Sequence, residues 1–207
     1  NVAGLTADSM LNIIRRFYYS KVGRGNKMIF SFDYIKTAAE RSNNKSSWEL
    51  VGEMVNKFKQ LIHKEIIFDE EPVISMLTSV QSNRYGITHN RTSDAVIEDE
   101  SIVALSDQIT QYSSHMFILR QKTLDEMQSH PAGCGTHKLI CVKYRHLGED
   151  VHRALQPVEW IDGSKKKNAI FLDFDNFDIT EKGDLRDLAL QLSTDLVLES
   201  SDPIDLL

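Results

Sequence analysis

The sequence predicts an α/β fold built mainly on a parallel sheet flanked by helices, with short antiparallel strands late in the chain. Three observations predict it. Two apolar runs, Met28–Phe32 and Val73–Val80, have the length of buried strands. A segment with helical apolar spacing, Trp48–His63, lies between them. The second half holds several short strand-like runs separated by turn residues.

Thr6 is placed to cap a helix over about 7–20, with Leu11, Ile14, Phe17 and Tyr18 on one face. Gly23 and Gly25 interrupt it. Met28–Phe32 then reads as a strand buried on both faces. Residues 35–47 are polar and turn-rich, and Ser46 or Ser47 caps the next helix, with Leu50, Val51, Met54, Val55, Phe58, Leu61 and Ile62 at helical spacing. Pro72 closes the connection, and 73–80 is the second buried strand. Residues 82–98 form a long polar stretch, which in a compact domain is usually a working loop. A short helix over Ser101–Gln111, a strand over 115–119 and a turn around Pro131, Gly133 and Gly135 come next. His137–Tyr144 reads as a strand, 155–161 and 168–174 as weaker ones, and 184–198 as an amphipathic helix carrying Leu185, Leu188, Leu192 and Leu196.

Composition narrows the function. The chain has 207 residues, 41% hydrophobic and 26% charged, which fits a soluble globular protein. Its formal charge of -6 means that any nucleic-acid contact must come from a local patch. Two cysteines, Cys134 and Cys141, cannot form a disulfide framework and fit a reducing compartment. No apolar run is long enough to span a bilayer. Asn1 opens neither with an initiator Met nor with a signal pattern, so the start reads as the interior of a longer chain.

The two apolar runs end in polar residues suited to a nucleotide. In an open α/β sheet, ligands sit beyond the carboxyl ends of the strands. Asp33 follows the first run, and a carboxylate there can hold the water shell of Mg²⁺, which prefers hard oxygen ligands. A strand-end Asp is also an ordinary cap or turn residue. Gln81 follows the second run, where an amide can orient water or bond a γ-phosphate; its plainer reading is a polar strand end. Lys143 and Arg145, two apart on a strand, share a face and can stabilise charge on a transferring phosphoryl group, or simply be solvated. The loop pattern GxxxxGK[ST], which cradles phosphates, occurs nowhere in the 207 residues.

Taken in order, these segments resemble the C-terminal part of a DnaB-type replicative hexameric helicase with a RecA-like core, of a phage kind. The resemblance rests on Met28-Ile29-Phe30-Ser31-Phe32-Asp33-Tyr34 (Walker B), Val80-Gln81-Ser82-Asn83-Arg84 (glutamine sensor) and Lys143-Tyr144-Arg145-His146-Leu147-Gly148 (basic finger). Between them, Leu105–Ile109 and Met116–Arg120 are similar to the family's helix and strand after its DNA loop. It implies a partial ATPase domain over residues 1–183, lacking the P-loop part, then a C-terminal helix and acidic tail over 184–207.

The resemblance also implies roles: Asp33 holding Mg²⁺ through water, Gln81 contacting the γ-phosphate of ATP, and Lys143 and Arg145 reaching the neighbouring subunit's nucleotide. The loop after Gln81, with Arg84, Tyr85, Gly86 and Arg91, would grip single-stranded DNA. The implied partners are further copies in a hexameric ring and a primase or helicase loader; the implied place is the cytoplasm, that of the host for a phage protein. The implied activity is ATP-driven 5′-to-3′ unwinding. The family's P-loop and its catalytic Glu would both lie upstream of these residues, and Asp33 is followed by Tyr34 rather than Glu, so the chain alone is expected to be inactive. The alternative is a non-catalytic RecA-like remnant that regulates a replication or recombination assembly.

Two further clusters carry plainer readings. His130, Cys134, His137 and Cys141 are N/S donors, but lack the paired CxxC spacing of a zinc site. The run Asp173-Phe174-Asp175-Asn176-Phe177-Asp178 lacks the Gly and terminal Glu of a calcium loop and reads as a strand with acids on its solvent face.

Overall fold

The computed structural model describes residues 5–35, 45–80, 107–145 and 156–200, and they fall into two compact units that divide between Ser113 and Ser114. Helix α1 (Ala7–Phe17) opens the first unit. The Thr6 hydroxyl accepts the Ser9 amide at 3.2 Å, a cap worth about 1 kcal/mol. A π-turn, Tyr18–Val22, continues the helix. It buries Tyr18 with Met10, Leu11 and Ile14, whereas Phe17, expected on that face, is 54% exposed. Gly23 and Gly25 then take φ values of 89° and 86°, which ends the helix.

Strand β1 (Met28–Phe32) pairs in parallel with β4 (Ile74–Thr78), Phe30 opposite Met76. Helix α2 (Ser47–Gln60) connects towards β4 and starts at a capping box, Ser46 with Glu49. Its Phe58 lies 5.9 Å from the Phe30 ring and 5.8 Å from the Phe32 ring. Burial of a side chain of this size contributes about 1.5–3 kcal/mol. A second π-turn, Leu61–Glu65, leads into a small hairpin of β2 (Ile67–Phe68) and β3 (Glu71–Pro72), which the sequence reading passed over. Helix α3 (Asp107–Tyr112) closes the unit through Ile109.

One expectation fails here. Neither β1 nor β4 is buried on both faces: Met28, Phe30 and Phe32 pack inward, but Ile29 is 77% and Leu77 64% exposed. Among the described residues the helices cover only one face of this pair. A parallel sheet normally has both faces covered.

The second unit is a four-stranded antiparallel sheet in the order β10-β9-β6-β5. Its strands are β5 (His115–Gln121), β6 (His137–Tyr144), β9 (Ala169–Asp175) and β10 (Asp178–Asp184). Helix α4 (Leu124–Ser129) follows β5, and a small hairpin, β7 (Val158–Glu159) with β8 (Lys165–Lys166), precedes β9. Helix α5 (Leu185–Ser200) follows β10 and packs Leu185, Leu188 and Ala189 against Phe171 and Val158. Strand β10 and helix α4 were not anticipated, and the expected strand over 155–161 shrinks to Val158–Glu159. Of the expected helix over Ser101–Gln111, residues 101–106 lie outside the described residues. More of the described pairing is antiparallel than parallel.

Candidate functional site

In the first unit the candidate residues stand at the carboxyl end of the β1–β4 pair. Asp33 is exposed immediately after β1, and the Ser79 hydroxyl, one residue beyond β4, donates to its Oδ1 at 3.2 Å. The parallel register, Phe32 opposite Thr78, brings these two strand ends side by side. Below them the Thr78 hydroxyl donates to the Phe32 carbonyl at 2.5 Å, and the Ile35 amide donates to the Ser79 carbonyl at 2.9 Å. The chain after Asp33 is therefore held against β4, through an Asp33–Tyr34 peptide that is cis. A carboxylate and hydroxyls in this arrangement are hard oxygen donors, the set that suits hydrated Mg²⁺. Sequence reading selected Asp33 and missed Ser79, whose role depends on register.

In the second unit, taken by itself, the candidate cations stand at the end of β6. Met116 pairs with Lys143 but Phe117 with Cys141, so Val142 is an extra residue in the ladder. A bulge of this kind bends the strand and re-aims the side chains beyond it. Lys143 comes next, half-buried, and Arg145 stands exposed one residue past the strand. The Arg145 amide donates to the Ser114 carbonyl at 2.7 Å, and His115 meets the Tyr144 ring edge-on with centroids 4.2 Å apart. These contacts fix the backbone that carries both cations.

A further cluster in the second unit was not foreseen. Arg120, Lys122 and Lys138 are all more than nine-tenths buried under the sheet of the second unit. Glu126 answers two of them: it takes Arg120 on both oxygens at 2.7 and 2.6 Å and Lys138 at 2.9 Å. The same carboxylate accepts the Thr123 amide at 2.9 Å, completing the capping box of α4. Burial pushes the Glu126 carboxyl up, but the hydrogen bonds from Arg120, Lys138 and Thr123 and the charge of Lys138 outweigh it and hold the group well below the usual carboxylate range. The Lys122 ammonium bonds the Cys134 carbonyl and lies 4.1 Å above the Phe171 ring; burial is the main force lowering its pKa. His130 packs at 5.2 Å from Phe171 and 6.0 Å from Trp160, its Nδ1 buried without a hydrogen-bond partner. Burial, then the charges of Lys122 and Lys138, bring its pKa down to about 4. The Thr123–Glu126 spacing was the sequence signal for this cluster.

Gln81, Arg84, Tyr85, Gly86 and Arg91 lie outside the described residues. Among the described residues, no group of three or more His, Cys, Asp and Glu side chains is placed to hold a metal ion. No described helix is long and apolar enough to cross a membrane.

No protein-family model and no curated protein matches the sequence. Solved structures do. The ATPase domain of a phage helicase superposes with a TM-score of 0.52 over 83% of this chain, at 14% identity. A DnaB-like replicative helicase, from a structure describing its interactions with primase, superposes with a TM-score of 0.51 over 84%, at 16% identity. The chain shares the RecA-like fold of these domains. It spans 52% of the first chain's length and 33% of the second's.

Proposed function

We propose that the chain is the nucleotide-sensing, subunit-contacting portion of the ATPase domain of a phage-type replicative DNA helicase. The observation that carries this reading is the Asp33–Ser79 pair at the carboxyl end of parallel β1 and β4, on a chain with this fold. Asp33 would hold the water shell of Mg²⁺, and the Ser79 hydroxyl that donates to it would orient the carboxylate for that role. A bound Mg²⁺ supplies charge neutralisation on the β- and γ-phosphates of ATP. Gln81, two residues beyond Ser79, contacts the γ-phosphate and passes its loss to the segment with Arg84, Tyr85, Gly86 and Arg91, which grips single-stranded DNA.

Lys143 and Arg145 act in trans. Exposed past a bulged strand end, Arg145 reaches the nucleotide of the next copy in a hexameric ring, where a guanidinium stabilises transferring negative charge. The 207 residues contain no GxxxxGK[ST] loop, so they do not by themselves fit the triphosphate of ATP. Translocation runs 5′ to 3′, and a primase or loader is a partner of the complete assembly. The deciding experiment uses a complete protein that includes a P-loop part. Arg145→Ala should abolish DNA-stimulated ATP turnover while leaving nucleotide binding largely intact. Turnover at the unmodified rate would remove the trans assignment and favour a non-catalytic, regulatory role.

A further inference from the structure

The second unit carries opposite charge at the two ends of its sheet. At a rise of about 3.3 Å per residue, the two ends of β9 are roughly 20 Å apart. At the far end, β9 turns into β10 through Asn176, with φ of 55°, and Phe177. Phe177 is fully exposed, and Ile179 beyond it is 60% exposed. A tight turn normally takes small polar residues, so a phenyl ring at the tip is unfavourable for both turn chemistry and solvation. Around it stand Asp173, Asp175, Asp178 and Glu181, and the stretch 173–181 has no cation.

The near end is the complement. The β7–β8 hairpin presents Ile161, 46% exposed, beside half-buried Trp160, whose ring lies 4.5 Å beneath the Lys166 ammonium. Lys165, Lys166 and Lys167 are all exposed there. Because Ile140 of β6 sits opposite Ala169, the residues after Ile140 run past the start of β9, so Lys143 and Arg145 lie at this same end. Among the described residues its acids are Glu159, opposite Lys165, Asp162, which accepts the Ser164 amide at 2.8 Å, Asp184, opposite Ile170, and Asp187, which accepts the Asp184 amide; the exposed Lys165, Lys166, Lys167 and Arg145, with Lys143, outnumber them.

We propose that these ends meet between copies of the chain: the Phe177 hairpin of one copy docks on the Trp160–Ile161 surface of the next, framed by Lys165, Lys166 and Lys167. Two different complementary patches on one chain make a head-to-tail contact, the kind that closes into rings. Aromatic anchors set in a polar rim dominate such interfaces, and opposite charge fixes partner and register. The acidic rim turns Phe177 away from nucleic acid and anionic membranes. The inference rests on the proposed ring and names its contact surfaces; it also faces Lys143 and Arg145 towards the adjoining copy.

The test is sedimentation velocity of the whole chain over a concentration series. The unmodified chain should self-associate, and Phe177→Ser, at a fully exposed position, should weaken association by at least about tenfold. A double variant, Asp175→Lys with Asp178→Lys, and a second, Lys165→Glu with Lys166→Glu, should each stay monomeric, because both contacting ends then carry like charge. Mixed together they should associate, since each tip now faces a hairpin of opposite charge. Circular dichroism confirms that each variant is folded. An unmodified chain that stays monomeric, or folded variants whose mixture does not associate, would overturn the contact. Assembly indifferent to Phe177 and to the charges would overturn it while leaving the ring itself to the Arg145 experiment.

Discussion

Acidification should destabilise the second unit through one residue, His130. In the fold its ring is wedged against Phe171 and Trp160, with Nδ1 buried and unpartnered. The charged groups that act on it are Lys122, Lys138 and Lys166, with Glu126 alone opposing them. The folded pKa is about 4 against 6.5 unperturbed. Between those values the unfolded chain binds a proton that the folded chain refuses, so stability rises with pH. The contribution is complete above about pH 6.5 and is lost as pH falls towards 4. At 1.36 kcal/mol per unit, the whole shift corresponds to about 3 kcal/mol. Glu126, with its depressed pKa, adds its own loss only below its unfolded value of 4.5, so among the described residues the window from 6.5 to 4.5 belongs to His130. The perturbation is His130→Phe, which removes the titrating ring but keeps an aromatic against Phe171. The assay is urea denaturation at pH 7.0, 6.0, 5.0 and 4.5, followed by Trp160 emission in a Trp48→Phe background. The stability difference between the two proteins should shift by about 2–3 kcal/mol across the series, with the variant flatter. Parallel pH curves would refute the reasoning.

Glu126→Gln keeps the shape of the side chain but leaves the guanidinium of Arg120 and the ammonium of Lys138 buried without the carboxylate. Urea denaturation should register a loss of about 3–5 kcal/mol, and a loss under about 1 kcal/mol would mean that water already solvates the cluster. Gly135→Ala should cost about 2 kcal/mol or more, read by thermal denaturation. The residue has φ of 67°, and a Cβ there would come within 2.5 Å of the Leu172 carbonyl oxygen. An unchanged melting temperature would show that the turn can rearrange.

The parts of the fold legible in the sequence were those set by local rules. Thr6 and Ser46 announced their helices because capping needs only a side chain and the amides a few residues on. Strands β1, β4, β5 and β6 announced themselves as apolar runs. The β2–β3 hairpin stayed hidden because its turn, Asp69-Glu70, takes positive φ without Gly or Asn. Strand β10 stayed hidden because Asp178-Ile179-Thr180-Glu181-Lys182-Gly183-Asp184 has little apolar alternation and is held by pairing with β9. The same division runs through the site. The proposed residues Asp33, Lys143 and Arg145 stand out in the sequence at or beside the ends of apolar strands. Ser79 depends on the register that sets it beside Asp33, and the partnership of Arg120, Lys138 and Glu126 joins residues up to 18 positions apart across two strands and a helix. The one-sided exposure of Ile29 and Leu77 is a matter of which layers are present, which an apolar run does not record.

The central claim is that this chain supplies the metal-holding carboxylate and the trans-acting cations of a nucleotide site without its phosphate-binding loop. Phosphate release by the purified 207-residue chain in the presence of ATP, Mg²⁺ and single-stranded DNA tests it most directly. The expected result is no turnover above background. Turnover that Asp33→Asn or Arg145→Ala abolishes would contradict the account.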